Sequence, residues 1–233
     1  MSRRMSAEHR LAWLLCAPAV IAMLLVTAYP MLYSLWLSLF RYDLRFPDER
    51  QFIGLQNYLT VLSSPTWWHS LFNTVLITVG SVAVELVLGF IIALVMHRAL
   101  VGRRLVRTAV LVPYGIITVV AAMSWRFAFD PTTGFVNGLL GLEDAWLAGR
   151  WSAFLVIILT EIWKTTPFMA LLLLGGLTLV PEDLLRAARV DGANAAQRFF
   201  RIVLPLMRPV IMVALLFRTL DAFRIFDTVF VLT

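Results

Sequence analysis

Six charged side chains stand where the surrounding sequence is apolar enough to sit in a lipid bilayer, and their spacing bounds the chemistry open to them. Glu161 and Lys164 are three residues apart, so on a helix they share a face and can pair with each other. Arg218, Asp221 and Arg224 repeat that spacing near the end of another apolar run, and Glu85 stands alone in a third. A charge at the centre of a membrane helix costs roughly 2.5–3.5 kcal/mol on insertion scales, so each of these needs a partner or an aqueous cavity. Two readings of Glu161, Trp163 and Lys164 follow. They line a hydrophilic path, where an aromatic face beside charged hydrogen-bonding groups suits a sugar. Alternatively, Glu161 and Lys164 form a satisfied pair within one helix, snorkelling or bridging to a partner subunit. Pro167, one turn on, is placed to kink that helix and widen a cavity beside the pair. Glu85 is expected to face a subunit interface or cavity, and the series ending at Arg224 to sit at an outer mouth or in a structural network.

Other chemistries lack their residues. A Walker A loop ends in Gly-Lys-Ser/Thr, whereas the only lysine, Lys164, follows Trp163, so this chain does not bind ATP that way. His9, His69 and His97 lie in different polar segments, too scattered for a metal site or for a partner to a nucleophilic serine. The single cysteine, Cys16, permits no intrachain disulfide. Leu15 is too bulky to precede a lipoprotein acceptor, so Cys16 is expected to be an inert buried thiol. The chain is expected not to be an enzyme, and no metal is expected. The basic balance does not indicate nucleic acid, because the arginines spread over short loops instead of one face. Topology and contact with anionic lipid account for them.

The elements that must position these side chains are membrane helices. The 233 residues are 61% hydrophobic and 15% charged, with a mean hydropathy of +0.84, against about 45–50% and 25% in soluble domains. Five apolar runs fall at about 11–40, 71–96, 105–128, 151–180 and 206–230, each able to supply the ~20 residues that cross a bilayer. Arg3, Arg4 and Arg10 precede the first run as in a signal peptide, but the run continues past Tyr29-Pro30, too far for a cleaved leader. One transmembrane domain, residues 1–233, is expected.

Charge sets the orientation. The N-terminus, 97–107 and 181–208 together hold 12 arginines and four acids, while the opposite loops hold seven and eight. The positive-inside rule therefore puts the N-terminus and the 181–208 segment in the cytoplasm. Residues 181–205 are polar and patterned for order. Pro181 suits a first helical turn, with Glu182 and Asp183 where the helix dipole favours acids. Asp191-Gly192 breaks that helix. Asn194 with Gln197 three residues on reads as a capping box opening a second helix through Phe199, Phe200, Ile202 and Val203. By spacing alone the element is an amphipathic hairpin on lipid or a docking surface for a cytosolic partner.

These residues carry a resemblance. Ala187-Ala188, Gly192 and then Ile202-x-Leu204-Pro205 look like the EAA motif of ABC importer permeases. Phe52-Ile53-Gly54-Leu55-x-Asn57-Tyr58 and Leu71-Phe72-Asn73-Thr74 resemble the start of the permease core in carbohydrate importers. Trp125-Arg126-Phe127-x-Phe129-Asp130, Gly134-x-Val136-Asn137 and Ile162-Trp163-Lys164-x-Thr166-Pro167-Phe168 are similar to its later segments. Pro181-Glu182-x-Leu184 before the motif and Phe223-x-x-Phe226-Asp227 after it also fit, so the likeness runs in order through nearly the whole chain.

The resemblance implies an all-α, polytopic helix bundle of the type I ABC importer permease kind in a bacterial inner membrane. It implies half of a sugar pathway, of the maltose, glycerol phosphate or trehalose type. Expected partners are a second, homologous permease, two ATPase subunits and an extracytoplasmic binding protein, with ATP and magnesium held by the ATPases and no cofactor here. Docking on the ATPase is expected through Arg186, Ala187, Ala188, Asp191, Gly192, Ile202, Leu204 and Pro205. Two departures stand out. Arg186 occupies the position where the family usually has Glu, so either the ATPase carries a compensating acid or docking relies on Asp191, Gly192 and shape. The family also has six core spans and only five are visible, so a sixth is expected beyond residue 233. Nineteen arginines against one lysine suggest a GC-rich genome and lean the choice of solute toward a trehalose- or maltose-like disaccharide. A proton- or ion-coupled secondary transporter using Glu161 and Lys164 is the alternative, and a membrane anchor that recruits a cytosolic protein is a third.

Overall fold

The computed structural model describes residues 2–42, 45–46, 50–98, 103–140 and 145–233. Several positions in the charge argument lie outside the described residues or side chains: Arg3, Arg4, Glu8, Asp43, Asp48, Glu49, Arg98, Arg103, Arg104, Glu143 and Asp144. The chain divides into two compact units, Met1–Ser70 and Leu71–Thr233, where the sequence reads as one domain.

In the first unit, α1 (Ser2–Met23), a π-helical turn (Leu24–Ala28) and α2 (Tyr29–Leu37) run on as one apolar helix. Its stretch His9–Leu37 is 29 residues long, enough to cross a bilayer, and its apolar side chains are exposed all round. Cys16 is exposed with them, which corrects the expectation of a buried thiol: no neighbouring element of its unit covers that helix. A two-stranded pair, β1 (Phe40–Arg41) with β2 (Gln51–Phe52), sets Phe40 opposite Phe52, and α3 (Gln56–Ser63) follows. Asn57 Nδ2 donates to the Ser38 and Phe40 carbonyls at 2.8 and 3.0 Å, anchoring α3 to the end of α2.

The second unit is a helix bundle. Its long members are α4 (Pro65–Arg98) and α8 (Arg150–Thr178), both apolar over enough length to span. Between them, α5 (Arg103–Gly115) and α6 (Thr118–Ala128) form a broken span bent by 92° at Ile116–Ile117, and α7 (Phe135–Leu140) precedes α8. The polar segment forms α9 (Glu182–Val190) and α10 (Ala195–Arg198). A π turn (Phe199–Val203) then leads through α11 (Leu204–Leu206) into α12 (Arg208–Ala222), bent by 67° at Met207, and α13 (Asp227–Leu232) ends the chain. Among the described residues, three helices, or up to five with each bent pair counted as one span, are long and apolar enough to cross a membrane. α8 passes through Pro167 as one continuous helix.

Small residues let these helices close. A Cβ on Gly89 would lie 2.7 Å from Met169 Cγ, and one on Gly176 would lie 2.8 Å from Val210 Cγ1. α4 and α12 thus lie against α8 at near backbone contact, the means by which helices associate where lipid tails are as apolar as the side chains. Two apolar clusters result. One joins Phe90, Met96, Met169, Leu173, Val203 and Met207; the other joins Ile77, Ala122, Phe129, Val156, Ile157 and Leu232. Along α8 the clusters stop at Ile157 and resume at Met169, and the turns between them carry the buried polar side chains.

Replacing Gly89 with Val is therefore expected to destabilise the bundle by about 1–3 kcal/mol through overpacking. Gly175→Ala, where a Cβ meets nothing within 4 Å, is expected to be silent. Thermal denaturation of the detergent-purified variants distinguishes the two positions.

Candidate functional site

Arg218 of α12 lies in that polar layer with 1% of its surface exposed. Its Nε donates to Glu85 Oε2 at 2.6 Å and its Nη2 to Glu85 Oε1 at 3.0 Å, a two-pronged pairing with α4. Nη2 also reaches Glu161 Oε2 of α8 at 3.0 Å, and Nη1 reaches Asp221 Oδ2 at 2.9 Å. Glu161 Oε1 accepts in addition from the Thr228 hydroxyl of α13 at 2.7 Å. Three helices thus meet at one guanidinium, and α13 joins them through Glu161. A buried charge needs this many partners, because its lost hydration is repaid only when nearly every donor and acceptor is satisfied.

This arrangement decides between readings that the sequence leaves open. Glu161 does not pair with Lys164 on its own helix. Arg218 takes it, because a planar fork satisfies two carboxylates at once where an ammonium offers a point charge. Glu85 faces the inside of the bundle, not a subunit interface, with its side chain 0% exposed. Arg218 is an internal hub and not part of an outer mouth, while Asp221 and Arg224 are exposed.

Beside the hub is a small polar cleft of about 170 Å³. Glu161, Lys164, Asp221, Arg224 and Asp227 line it, with Thr118 and Thr228. Lys164 Nζ donates to Thr118 Oγ1 at 2.8 Å, which pins α8 to the first residue of α6, just past the 92° bend. Among the described residues, no side chain pairs with Arg224 or Asp227. Trp163 is not in this cleft. It projects from another side of α8, 38% exposed, with its ring centroid 6.0 Å from that of Trp125. Spacing alone could have separated them: Glu161, Lys164 and Thr165 recur at helical intervals and Trp163 falls between.

The polar segment folds as its residues suggest. Pro181 is extended, with φ −64° and ψ 124°, and opens α9. Gly192 takes φ +81°, which any side chain would resist, and turns the chain. Asn194 accepts from the Gln197 backbone N–H at 2.8 Å, and Gln197 accepts from the Asn194 N–H at 2.9 Å, completing the capping box. The Arg198 guanidinium donates to the Ala193 carbonyl and closes the turn. One side of the element holds to the bundle through Leu185 and Phe199, the latter edge-on to Phe90 at 5.3 Å. The other side is open: Val190 is 88% exposed and Phe200 64%. Arg186 pairs with Glu182 of its own helix at 2.8 Å, with both side chains exposed. Ala187, Ala188, Asp191 and Gly192 sit around the turn, and Ile202, Leu204 and Pro205 in the π turn and α11 that lead into α12.

Asp130, just past α6, accepts four hydrogen bonds on Oδ1, from the backbone and hydroxyl groups of Thr132 and Thr133 at 2.8–3.0 Å. Those donors, the Thr133 N–H foremost, hold its carboxyl well below the usual range.

The family described as binding-protein-dependent transport system inner membrane component matches residues 85–233. The trehalose transport system permease protein SugA of Mycobacterium tuberculosis is 57% identical over 97% of this chain and 74% of its own length. The trehalose/maltose transport system permease protein MalF of Thermococcus litoralis is 41% identical over 97% and 78%. Among solved structures, a bacterial ABC transporter involved in the import of the acidic polysaccharide alginate matches with a TM-score of 0.74. That match has 26% identity and covers 92% of this chain and 75% of the other.

Arg218→Ala strands the buried Glu85 carboxylate, and breaking such a pair is expected to cost about 3–5 kcal/mol. Asp221→Asn removes a partner that is 69% exposed and is expected to cost under about 1 kcal/mol. Guanidinium denaturation midpoints of the two variants measure the difference. At the Asp130 turn the depressed carboxyl contributes stability that is present above its unfolded pKa and lost as pH falls through the folded value. Proteolytic nicking of residues 129–134 is therefore expected to rise on acidification, and less so in Asp130→Asn, which has no carboxylate to titrate.

Proposed function

Because the chain belongs to the binding-protein-dependent transport system inner membrane component family, we propose that it is the transmembrane subunit of an ATP-driven importer of a neutral disaccharide such as trehalose or maltose. It forms half of the pathway with a second, related permease. Two ATPase subunits engage the cytoplasmic loops of the permease pair, this chain's 181–205 segment among them, and an extracytoplasmic binding protein delivers the solute. The N-terminus is cytoplasmic, on the arginine-rich side of the topology.

The observation that carries this reading is the two-faced character of residues 182–206. An ordered element held to the bundle on one side, with Val190 and Phe200 open on the other, suits docking into a cleft of another protein. Its capped turn makes it stiff enough to pass on a push. Closure of the ATPases draws the segments of the two permeases together and tilts the helices that follow, turning the central path from one side to the other. Arg186, already paired to Glu182, takes no part in an EAA-type salt bridge; docking rests on Ala187, Ala188, the Asp191-Gly192 turn and shape.

The solute enters through the polar cleft. Arg224 and the spare hydrogens of Lys164 supply donors, and Asp227 supplies acceptors, side by side. Sugar hydroxyls both donate and accept, so a mixed lining suits them. Glu85, Glu161, Asp221 and Asp227 outnumber Lys164, Arg218 and Arg224 by one, which disfavours an anionic solute. Both relatives named for trehalose transport agree with a neutral sugar. Ion-coupled transport through Glu161 and Lys164 has no geometric support, since Glu161 is committed to Arg218 and Thr228.

Uptake of labelled trehalose into cells is expected to stop when the ATPase is inactivated and to survive an uncoupler; the reverse pattern contradicts the reading. Gly192→Val forces a β-branched side chain into φ +81° at a cost of about 1–3 kcal/mol of local strain. It is expected to leave membrane insertion intact while cutting uptake per ATP hydrolysed. Normal uptake by that variant contradicts the docking role.

A further inference from the structure

α12 continues directly from the cytoplasmic segment through the 67° bend at Met207. Arg218 stands ten residues into it, roughly 15 Å along the axis. A displacement of the segment passes along the chain directly into α12. What α12 then carries with it depends on how firmly it is held.

Its apolar grip is built on small residues. The buried positions on α12 besides Arg218 are Ala214 and Ala222, and Val210 of α12 seats against Gly176 of α8. Such residues bring the two helices close. The directional contacts are those of Arg218. They reach Glu85 on α4 and Glu161 on α8, and through Glu161 the hydroxyl of Thr228 on α13. Solvating one buried carboxylate would need only the sealed pairing with Glu85. The guanidinium also holds Glu161 and Asp221, and both of these line the polar cleft.

We propose that Arg218 is a positioning residue for transport: an ionic clasp that makes α12 move as one body with α4, α8 and α13, so that a push on the coupling segment reaches the walls of the cleft. This rests on the importer reading. The clasp needs no rearrangement of its own. Excluded from water, its hydrogen bonds hold their geometry while the helices they join tilt together.

The test is the ratio of sugar transported to ATP hydrolysed by the full complex in proteoliposomes, with binding protein supplied. Glu85→Leu combined with Arg218→Met replaces the sealed pair at similar volume, a change tolerated for stability, while Glu161 keeps the Thr228 hydroxyl and its edge on the polar cleft. The double variant is expected to assemble and hydrolyse ATP while the ratio falls about tenfold, an ordinary size for a lost coupling free energy. Arg218→Lys is expected to fall between, because an ammonium cannot span both carboxylates. A purely structural role would lower uptake and hydrolysis in step, and a ratio within about twofold of the unaltered complex overturns the proposal. If the double variant does not assemble, Glu85→Gln, which keeps the shape of the side chain, carries the test. A ratio lowered about threefold or more supports the clasp and an unchanged ratio overturns it. No ATP-dependent uptake by the unaltered complex would instead count against the importer reading.

Discussion

A guanidinium with 1% of its surface exposed, inside a bundle built for lipid, is the constraint on which the rest of the second unit depends. An unanswered charge there would cost several kilocalories, so the fold must bring carboxylates to it from elsewhere in the chain. Glu85 arrives on α4, 133 residues away, and Glu161 on α8, 57 residues away. Thr228 then satisfies the remaining oxygen of Glu161 and sets α13 against α8. Once those four helices are joined at this cluster, the side chains one turn beyond it, Asp221, Arg224 and Asp227, have a fixed wall to face, and the polar cleft follows.

The same geometry explains why Lys164 is left for the cleft. Its neighbour Glu161 is the natural partner at three residues' spacing, but the local pairing loses to Arg218. The fork of Arg218 engages Glu85 and Glu161 together. Lys164 turns instead to Thr118, where the broken span begins again after its bend. A cation with spare hydrogens at a helix break beside free acceptors is the kind of lining a polyol needs.

What the sequence makes legible is local. Asn194 with Gln197, Gly192 and Pro181 each announce their conformation within a few residues, and the helix–turn–helix of residues 182–198 forms as they indicate. Apolar runs long enough to span are equally plain. Partner choice among buried charges is not, because it is decided by contacts across 133 residues that no periodicity records. Trp163 was grouped with Glu161 and Lys164 by adjacency, although helical geometry turns it to another side. Cys16 reads as buried by composition, yet it lies on a helix whose apolar surface is open all round. The likeness to carbohydrate importer permeases rests on residues spread through the chain, and the 57% identity to a trehalose permease puts it on firmer ground than any one motif.

Whether residues 181–205 meet a protein or lie on lipid decides the account most directly. A photo-crosslinking amino acid at position 190, where Val190 is 88% exposed, reports what that face touches in the native membrane. The account predicts a cross-link to the ATPase subunit, strengthened when ATP is bound. Cross-linking to lipid alone, in membranes that contain the ATPase and sustain uptake, would contradict it.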